Sequence, residues 1–265
     1  MDITTETRRI LPTYPTEKDY MIFHNNDYLN LAQDPAICSS VIQAINDHGI
    51  GSTGSRLLSG NHPLITSLEH DLALFLNTQR CVVFNSGFQL NSGILSTFYG
   101  PKDLIIADKY IHASLIDGAL LSKATFKRFK HQDTCHLVQL LQTHRHNYER
   151  CIILSESLFS MTGSLADLSA LSRISTQFNA DLLIDEAHSI GVYGPKGKGL
   201  CAAANISPTF LIGTYGKAFG SSGAFIATSD YYADIIINTC RAFIYSTAPS
   251  IPSIAASHAA LNKIP

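Results

Sequence analysis

Disulfide-forming and membrane-spanning patterns are both missing from this sequence of 265 residues. Its six cysteines include no C-x-x-C pair and stand far apart along the chain, at Cys38, Cys81, Cys135, Cys151, Cys201 and Cys240. Such spacing is typical of reduced thiols rather than of a disulfide framework. The N-terminal residues lack the apolar core of a secretory signal, and no apolar run approaches membrane-spanning length. We therefore expect a cytoplasmic protein.

Excess charge of one sign and metal-binding patterns are also missing. The formal net charge is −2, so no nucleic-acid or anionic-membrane surface is predicted. None of the eleven histidines belongs to an H-E-x-x-H pattern, and we predict no metal site. Hydrophobic residues make up 45% of the chain and charged residues 15%, which is enough apolar material for a large buried core.

The absence of a phosphate-binding loop decides how residues 185–188 are interpreted. These residues read D-E-A-H after an apolar run, and the same letters occur in helicase ATPases. An ATPase needs G-x-x-x-x-G-K-[ST] on an earlier strand–helix turn, because backbone amides and the lysine hold the phosphates. The only Gly-Lys pairs end at Lys198 and Lys217, later in the chain, and neither precedes Ser or Thr. The sequence therefore disfavours a nucleotide-driven motor.

What the sequence does contain is a regular alternation of apolar strands and amphipathic helices. Asp34 and Gly49 are typical caps for a helix over residues 35–48. Further helices are predicted at residues 87–98, 112–122, 134–146 and 167–178. Strands are predicted at residues 81–84, 103–107, 125–129, 151–156, 181–185, 210–214 and 223–228. We predict an α/β fold with three α/β/α layers and a mainly parallel central sheet.

Polar residues follow the ends of the predicted strands. In open parallel sheets, ligands bind outside the carboxyl ends of the strands. The residues at these ends are Asn85, Ser86 and Gly87, then Asp108, Glu156 and Asp185, and finally residues 214–217. The sequence therefore predicts one binding site along this edge of the sheet.

Pyridoxal 5′-phosphate (PLP) requires the residue types found at this edge. It needs a lysine for a Schiff base, an acid that keeps its pyridine nitrogen protonated, and a cradle for its phosphate. Lys217 lies among glycines that let the backbone approach a ligand, Asp185 supplies the acid, and His188 can reach the phenolic oxygen. A helix that opens directly after a strand suits the phosphate. The candidates for the phosphate are Ser86, Gly87, Phe88 and Thr214.

Four ordered motifs carry a family resemblance: G-S-T-G-S-R-L-L-S-G-N-H from residue 51, F-N-S-G-F from 84, D-E-A-H-S-I-G from 185 and G-T-Y-G-K-A-F-G from 213. Together they resemble the α-oxoamine synthases, which are fold-type I PLP-dependent transferases. The resemblance extends from Asn26 to Ser246 and implies that an amino acid condenses with an acyl thioester and loses CO₂. The first motif is most similar to the branch that joins L-alanine to a pimeloyl thioester, on coenzyme A or an acyl carrier protein, in biotin biosynthesis.

The resemblance also implies roles for single residues. Lys217 corresponds to the Schiff-base lysine, Asp185 to the partner of the pyridine nitrogen and His112 to the histidine stacked on the cofactor, and these are the predicted catalytic residues. Further cofactor contacts are implied for Ser86, Gly87, Phe88, Glu156, Ser160, His188, Thr214 and Thr247. The substrate contacts implied in the same way are Asn26 and, for the substrate carboxylate, Arg8 or Arg9.

Assembly and domain organisation follow from the same resemblance. Ser246 and Thr247 correspond to a segment near the phosphate site of a partner subunit, which implies a homodimer with shared active sites. Residues 1–40 are expected to form an N-terminal segment that packs on the site, and residues 41–250 the PLP-binding large domain. Residues 251–265 are expected to begin a truncated C-terminal domain.

Several alternatives stay open at this stage. Relatives that use other amino acids share the cofactor residues, so a synthase similar to glycine C-acetyltransferase is a second candidate. An inactive, truncated fragment that binds PLP is a third. The loop of residues 49–61 is either a flexible connector or a wall of the thioester pocket, and Arg56 is either a cation for the acyl carrier or a surface residue.

Overall fold

The computed structural model describes residue 11 and residues 23–264. The α-helices of this part are α1 (Pro35–His48), α2 (Pro63–Leu76), α3 (Gly87–Phe98), α4 (Ala113–Ser122), α5 (Thr134–His144), α6 (Leu168–Gln177), α7 (Leu200–Ala203), α8 (Asp230–Thr239), α9 (Arg241–Ile244) and α10 (Ile251–Leu261). The strands are β1 (Arg80–Phe84), β2 (Leu104–Asp108), β3 (Thr125–Phe129), β4 (Cys151–Glu156), β5 (Asp181–Asp185), β6 (Phe210–Thr214) and β7 (Ala224–Thr228).

The seven described strands form one sheet in the order β1-β7-β6-β5-β4-β2-β3. Among them only β7 runs against the others, since it pairs antiparallel with both β1 and β6. The connection from β6 to β7 covers only residues 215–223. A parallel crossover needs about a dozen residues or more, so this short connection returns the chain in the opposite direction. The predicted mainly parallel sheet is confirmed.

Helices cover both faces of the sheet. Leu68 of α2 lies in the hydrophobic core of one face, and Leu90 of α3 lies in the core of the other. Successive strand residues point to opposite faces, so Ile105 and Ile106 of β2 enter different cores. The predicted three-layer α/β/α fold is therefore confirmed. The arrangement places the carboxyl ends of the parallel strands along one common edge.

The helices are short and pack on the sheet or on one another. The longest described helices, α1 and α2, have 14 residues each, against about 20 needed to span a bilayer. Within the described residues, no helix has the length and apolarity needed to cross a membrane. Ile251 and Ala255 of α10 instead bury against Ala44 of α1.

Candidate active site

A pocket opens at the edge where the parallel strands end. About 520 Å³ of space lies between its walls. The walls come from α3 and from the loops after β2, β4, β5 and β6, and they consist of Gly87, Phe88, Asn91, His112, Ser114, Glu156, Asp185, Ala187, His188, Thr214 and Lys217. The structure thus brings together half of the residues predicted from the strand ends: Gly87, Glu156, Asp185, Thr214 and Lys217. Asp108 does not line the pocket and pairs with His131, at 2.9 Å from its Nδ1.

Asp185 ends β5 and is a buried acid in the pocket wall. Its Oδ1 accepts a hydrogen bond from the Ala187 amide (2.9 Å), and its Oδ2 accepts a longer one from the Asn91 Nδ2 (3.4 Å). Burial raises the pKa of Asp185, and these hydrogen bonds and the Lys217 ammonium oppose the increase. A protonated ring nitrogen bound beside this carboxylate would stabilise its ionised form.

Lys217 faces a neutral histidine. Its Nζ lies 2.7 Å from the Nε2 of His188. Burial lowers the pKa of Lys217, against a smaller opposing effect of the Asp185 and Glu156 carboxylates. Burial also lowers the pKa of His188 to about 4, and the positive charges of Lys217 and His112 add to the effect. His188 is therefore uncharged at neutral pH, and Lys217 releases its proton more readily than a solvated lysine, as a nucleophilic amine must.

The turn that carries Lys217 is held by a glycine. The Gly220 amide donates to the Lys217 carbonyl (2.8 Å), and Gly220 has a φ of +61°. A Cβ at Gly220 would lie 2.4 Å from the backbone nitrogen of Ala32. A larger residue would push the turn away from the loop at Ala32. Glycine at this position therefore fixes Lys217 relative to the loop that precedes α1.

His112, Ser114 and Asn91 form a hydrogen-bonded row in the pocket wall. The His112 Nδ1 accepts from the Ser114 amide (3.2 Å) and lies 2.7 Å from the Ser114 Oγ. The Asn91 Nδ2 donates to the Ser114 Oγ (2.9 Å) and also reaches Asp185. Because Nδ1 is the acceptor, a neutral His112 ring carries its proton on Nε2. Asn91 thus connects the predicted stacking histidine with the predicted partner of the pyridine nitrogen.

Glu156 is the second buried acid and is the register partner of Asp185 in the neighbouring strand. Burial, followed by the charge of Asp185, raises the pKa of Glu156 to about 7. Its Oε2 accepts a long hydrogen bond from the Ser160 amide (3.4 Å), whereas its Oε1 has no hydrogen-bond partner among the described residues. The Asn91 Oδ1 also lacks a partner within the described chain. Two buried oxygens of pocket residues are therefore left to interact with a bound polar ligand.

The N-terminus of α3 forms one end of the pocket. Ser86 caps this 12-residue helix, and its Oγ accepts from the Gln89 amide (3.1 Å). The first amides of such a helix and its dipole attract an anion. The Thr214 hydroxyl also lines the pocket, but it donates to the Gly223 carbonyl (2.9 Å). Thr214 therefore offers a phosphate no free hydroxyl proton in this arrangement, and its predicted contact stays a prediction.

Thr247 lies beside the start of α3 and not in the pocket wall of its own chain. Its backbone oxygen accepts from the Asn85 Nδ2 (2.7 Å), which also donates to the Ser246 Oγ (3.1 Å). Thr247 forms an isolated bridge with Ser55 of the glycine- and serine-rich loop. Thr247 does not line the pocket of its own chain, so its predicted cofactor contact stays a prediction that depends on the predicted homodimer.

The remaining predicted residues lie at the margin of the pocket or outside the described chain. Ser160 is exposed, and its amide rather than its hydroxyl contacts the neighbouring carboxylate. Asn26 reaches the pocket through a hydrogen bond from the Tyr28 hydroxyl (3.0 Å). The predicted substrate contacts at Arg8 and Arg9 lie outside the described residues. The roles assigned to all these side chains stay predictions.

Three residues of the site were not predicted from the sequence: Asn91, Ser114 and Tyr28. Asn91 lies four residues after Gly87, one turn further along α3, so helical spacing is the signal that marks it. Ser114 lies two residues after His112 at the start of α4. Tyr28 has no local signal, because its hydrogen bond to His188 joins residues 160 positions apart.

Glu186, the second acid of the D-E-A-H stretch, serves the fold. It is fully buried, and its Oε1 and Oε2 accept from the amides of Cys201 (2.6 Å) and Leu200 (3.0 Å) at the start of α7. The Ser157 hydroxyl donates to the same carboxylate (3.1 Å). The acid that polarises water in an ATPase is here saturated with hydrogen bonds.

Arg56 is neither a surface residue nor a free cation for an acyl carrier. Its guanidinium donates two hydrogen bonds to Glu69 of α2 (2.8 and 2.9 Å), and its side chain is only 9% exposed. Its Nε donates to the Asn61 Oδ1 (2.8 Å), and Glu69 also accepts from the Val83 amide (2.8 Å). This ion pair holds the loop of residues 49–61 to α2 and β1, which argues against a flexible connector.

Arg56→Met is expected to lower the free energy of unfolding by about 3–5 kcal/mol, because it leaves the Glu69 carboxylate buried without its cation. Lys102→Met is the matched control, since Lys102 binds Glu149 at 2.9 Å with both side chains exposed. The control is expected to leave the free energy of unfolding nearly unchanged, because an exposed ion pair contributes little. Denaturant titration of both variants measures the difference. Equal, small effects would contradict the structural role of Arg56.

Comparison with known proteins extends these observations. A family model described as aminotransferase class I and II matches residues 18–265. An 8-amino-7-oxononanoate synthase of Geotalea daltonii is 40% identical over 249 residues, which cover 93% of this chain and 63% of the relative. The chain spans 61% to 68% of the length of the curated relatives it matches.

Solved structures give a similar result. The 8-amino-7-oxononanoate synthase of Francisella tularensis superposes with a TM-score of 0.78 at 34% identity, covering 91% of this chain and 68% of that chain. A serine palmitoyltransferase of S. paucimobilis with a bound PLP–myriocin aldimine superposes with a TM-score of 0.87 at 28% identity, covering 91% and 62%. Both enzymes are thus similar in fold over most of the described chain.

Proposed function

Because the chain belongs to the class I and II aminotransferase family of fold-type I PLP enzymes, we propose that it condenses L-alanine with a pimeloyl thioester. The products are 8-amino-7-oxononanoate, CO₂ and the free thiol, and the reaction belongs to biotin biosynthesis. The observation that carries the proposal is one pocket that contains Lys217, Asp185 and His112. The curated relatives named for this synthase support the choice of substrates.

Pyridoxal 5′-phosphate is the cofactor, and the pocket residues fit it. The free amides at the start of α3 suit its phosphate, and a Cβ placed on Gly87 there meets no atom within 4 Å. Asp185 suits its ring nitrogen, and Lys217 has the lowered pKa that a covalent linkage to an aldehyde requires. The unpaired buried oxygens of Asn91 and Glu156 offer acceptors for its polar groups.

The chain's own residues then divide the work. When bound, the cofactor supplies an electron-poor ring that stabilises negative charge at the amino-acid Cα. Lys217 would hold the cofactor through its neutral amine, and the same amine is the base that takes the proton from the alanine Cα and later returns one to the product. Asp185 keeps the proton on the pyridine nitrogen. His112, with its proton on Nε2, orients the alanine carboxylate.

A related synthase that uses another amino acid is the second candidate. The close superposition on serine palmitoyltransferase favours it, because that enzyme's name implies serine and a long acyl chain. The cofactor residues are common to both candidates and do not discriminate between them. An inactive chain that only binds the cofactor is the third candidate.

The test measures condensation by the 265-residue chain loaded with PLP. L-Alanine, glycine and L-serine are each paired with pimeloyl-coenzyme A, pimeloyl carrier protein, acetyl-coenzyme A and palmitoyl-coenzyme A. Thiol release and the mass of the product are recorded, and cofactor absorbance is measured separately. We expect the highest kcat/KM for L-alanine with a pimeloyl thioester. Preference for another pair would replace the proposed reaction, and cofactor binding without turnover would support the inactive alternative.

We further propose a cytoplasmic homodimer with shared active sites. The free cysteines of the described chain support a reducing compartment. The position of Thr247 beside the start of α3, next to the exposed Tyr245, supports a contribution to a partner's site. The hydrogen bond from the N-terminal region to His188 supports the proposed packing of residues 1–40 on the large domain of residues 41–250.

A further inference from the structure

Four side chains form a hydrogen-bonded chain that runs outward from Lys217. The Lys217 Nζ lies 2.7 Å from the His188 Nε2, and the His188 Nδ1 lies 2.7 Å from the Tyr28 hydroxyl. The Tyr28 hydroxyl donates to the Asn26 Oδ1 at 3.0 Å. Tyr28 is 43% exposed, so the chain connects the half-buried lysine with solvent.

The far end of this chain sets the direction of every hydrogen bond in it. The Asn26 Oδ1 can only accept, so it takes the single proton of the Tyr28 hydroxyl. The Tyr28 oxygen must then accept from the His188 Nδ1–H. A neutral imidazole with its proton on Nδ1 has a lone pair on Nε2, and this lone pair accepts from Lys217.

The charge states of the groups agree with this direction. A doubly protonated His188 would aim an Nε2–H at the Lys217 amine, and burial with the charges of Lys217 and His112 keeps the pKa of His188 at about 4. Burial raises the pKa of Tyr28, so its hydroxyl keeps its proton. The charged groups that face Lys217 are Asp185 and Glu156, and neither belongs to the chain.

The backbone around Tyr28 is fixed in place. The Asp27 carboxylate accepts from the amides of Leu31 (2.9 Å) and Ala32 (3.1 Å), which closes the loop on itself. Gly220 of the lysine turn packs against the same loop, where a Cβ would lie 2.7 Å from the Leu31 carbonyl carbon. The loop that carries Tyr28 therefore packs directly on the turn that carries Lys217.

We propose that Tyr28 is a positioning residue that acts through His188, holding the His188 Nε2 as an acceptor toward Lys217 and opening a proton path from Lys217 to solvent. Along this path one proton moves from Nζ to Nε2 while another leaves Nδ1 for the Tyr28 oxygen, whose own proton passes to the water that its exposed side reaches. His188 stays uncharged throughout. The use of this proton path in catalysis rests on the proposed function, because Lys217 takes up and returns a proton in the proposed reaction.

The first test reads the tautomer of His188 directly. Nitrogen-15 NMR of the cofactor-free chain, labelled at histidine, distinguishes Nδ1–H from Nε2–H, and His188→Gln identifies the resonance. We expect Nδ1–H for His188 in the unmodified chain and loss of this preference in Tyr28→Phe. The inference would be overturned if His188 carried its proton on Nε2 in the unmodified chain. It would also be overturned if Tyr28→Phe kept the Nδ1–H preference of the unmodified chain. Neither substrate nor thioester is needed, so the proposed reaction can fail without affecting this result.

The second test follows covalent capture of PLP by Lys217, trapped with borohydride, as a function of pH. Without the acceptor on Nε2 the ammonium form of Lys217 is less stable, so Tyr28→Phe should move the capture midpoint to lower pH. Below the midpoint, capture should be about three- to tenfold faster than in the unmodified chain. The reason is that lowering the pKa of Lys217 by one unit increases the fraction of neutral amine about tenfold at a given pH. Tyr231→Phe, on α8 and 69% exposed, controls for loss of a tyrosine hydroxyl. Slower capture at every pH with an unmoved midpoint would indicate a merely structural role and refute the inference.

Discussion

Replacing Lys217 with alanine is expected to abolish covalent capture of PLP and to lower the rate of condensation by about 10²–10⁴-fold, the range for loss of a positioned base. The reason is that Lys217 lies beside the carboxylates of Asp185 and Glu156, and that burial lowers the pKa of its amine. It also lies next to the neutral His188, which accepts its proton. Borohydride reduction followed by mass spectrometry measures the capture, and thiol release measures the rate.

Lys198→Ala is the matched control for this experiment. Lys198 also follows a glycine, but it lies beside Phe75 of α2, with its Nζ 5.7 Å from the ring centroid, and not in the pocket. Capture and turnover should stay within about twofold of the unmodified chain, because lost surface contacts of this kind are worth little. Retention of capture by Lys217→Ala, with the modification found on another lysine, would contradict the assignment.

Asp185→Asn is expected to lower turnover about a thousandfold while the cofactor-free protein keeps or gains stability. The lost carboxylate is the group proposed to hold the proton on the pyridine nitrogen, and preorganised charge of this kind is worth several kcal/mol in the transition state. Burial raises the pKa of Asp185, so its ionised form is less favourable in the folded than in the unfolded chain. Neutral asparagine removes that penalty.

Glu186→Gln is the control for this experiment, because it also replaces an acid by its amide, at the neighbouring position, but is expected to have the opposite effect on stability. Its amide group would face the Leu200 and Cys201 amides that now donate to the carboxylate. We expect stability to fall by about 1–3 kcal/mol while PLP capture by the folded protein persists. Thermal unfolding and capture are measured on both variants. If Asp185→Asn lost stability and kept turnover, the two acids would have the opposite roles to those proposed.

The sequence predicted those parts of the fold that local pattern determines. Apolar runs bounded by turn residues marked the strands to within about one residue, and Glu156 and Asp185 at the ends of β4 and β5 lie in one pocket because parallel strands share an edge. Asp108 at the end of β2 does not line this pocket and pairs with His131 instead. The reversal at β7 follows from the shortness of residues 215–223, because a parallel crossover needs about a dozen residues or more. Helices α7 and α9 were missed, because each has only four residues and no side-chain cap. Helix α8 was also missed, although Ser229 caps it.

The site was predictable only where a residue follows a strand or belongs to a motif. Asn91 lies inside a helix, where an asparagine is ordinary, and its importance depends on Ser114 and Asp185 arriving from two other elements. Arg56 was interpreted from its exposed-looking, serine-rich surroundings, and only the position of Glu69 explains its burial. Contacts between distant parts of the chain are set by packing of the whole fold, which local spacing does not encode.

The pairing of β1 with β7 has a consequence for synthesis on the ribosome. β1 is made early, but the strand that pairs with it, residues 224–228, emerges only after most of the chain. At about 5–20 residues per second, the apolar stretch Cys81 to Phe84 waits several seconds or longer with its backbone unpaired. Partner strands so distant along the chain slow folding and expose an edge that other nascent chains can join. A chaperone that binds short apolar segments would therefore find a target here, well before the lysine turn exists.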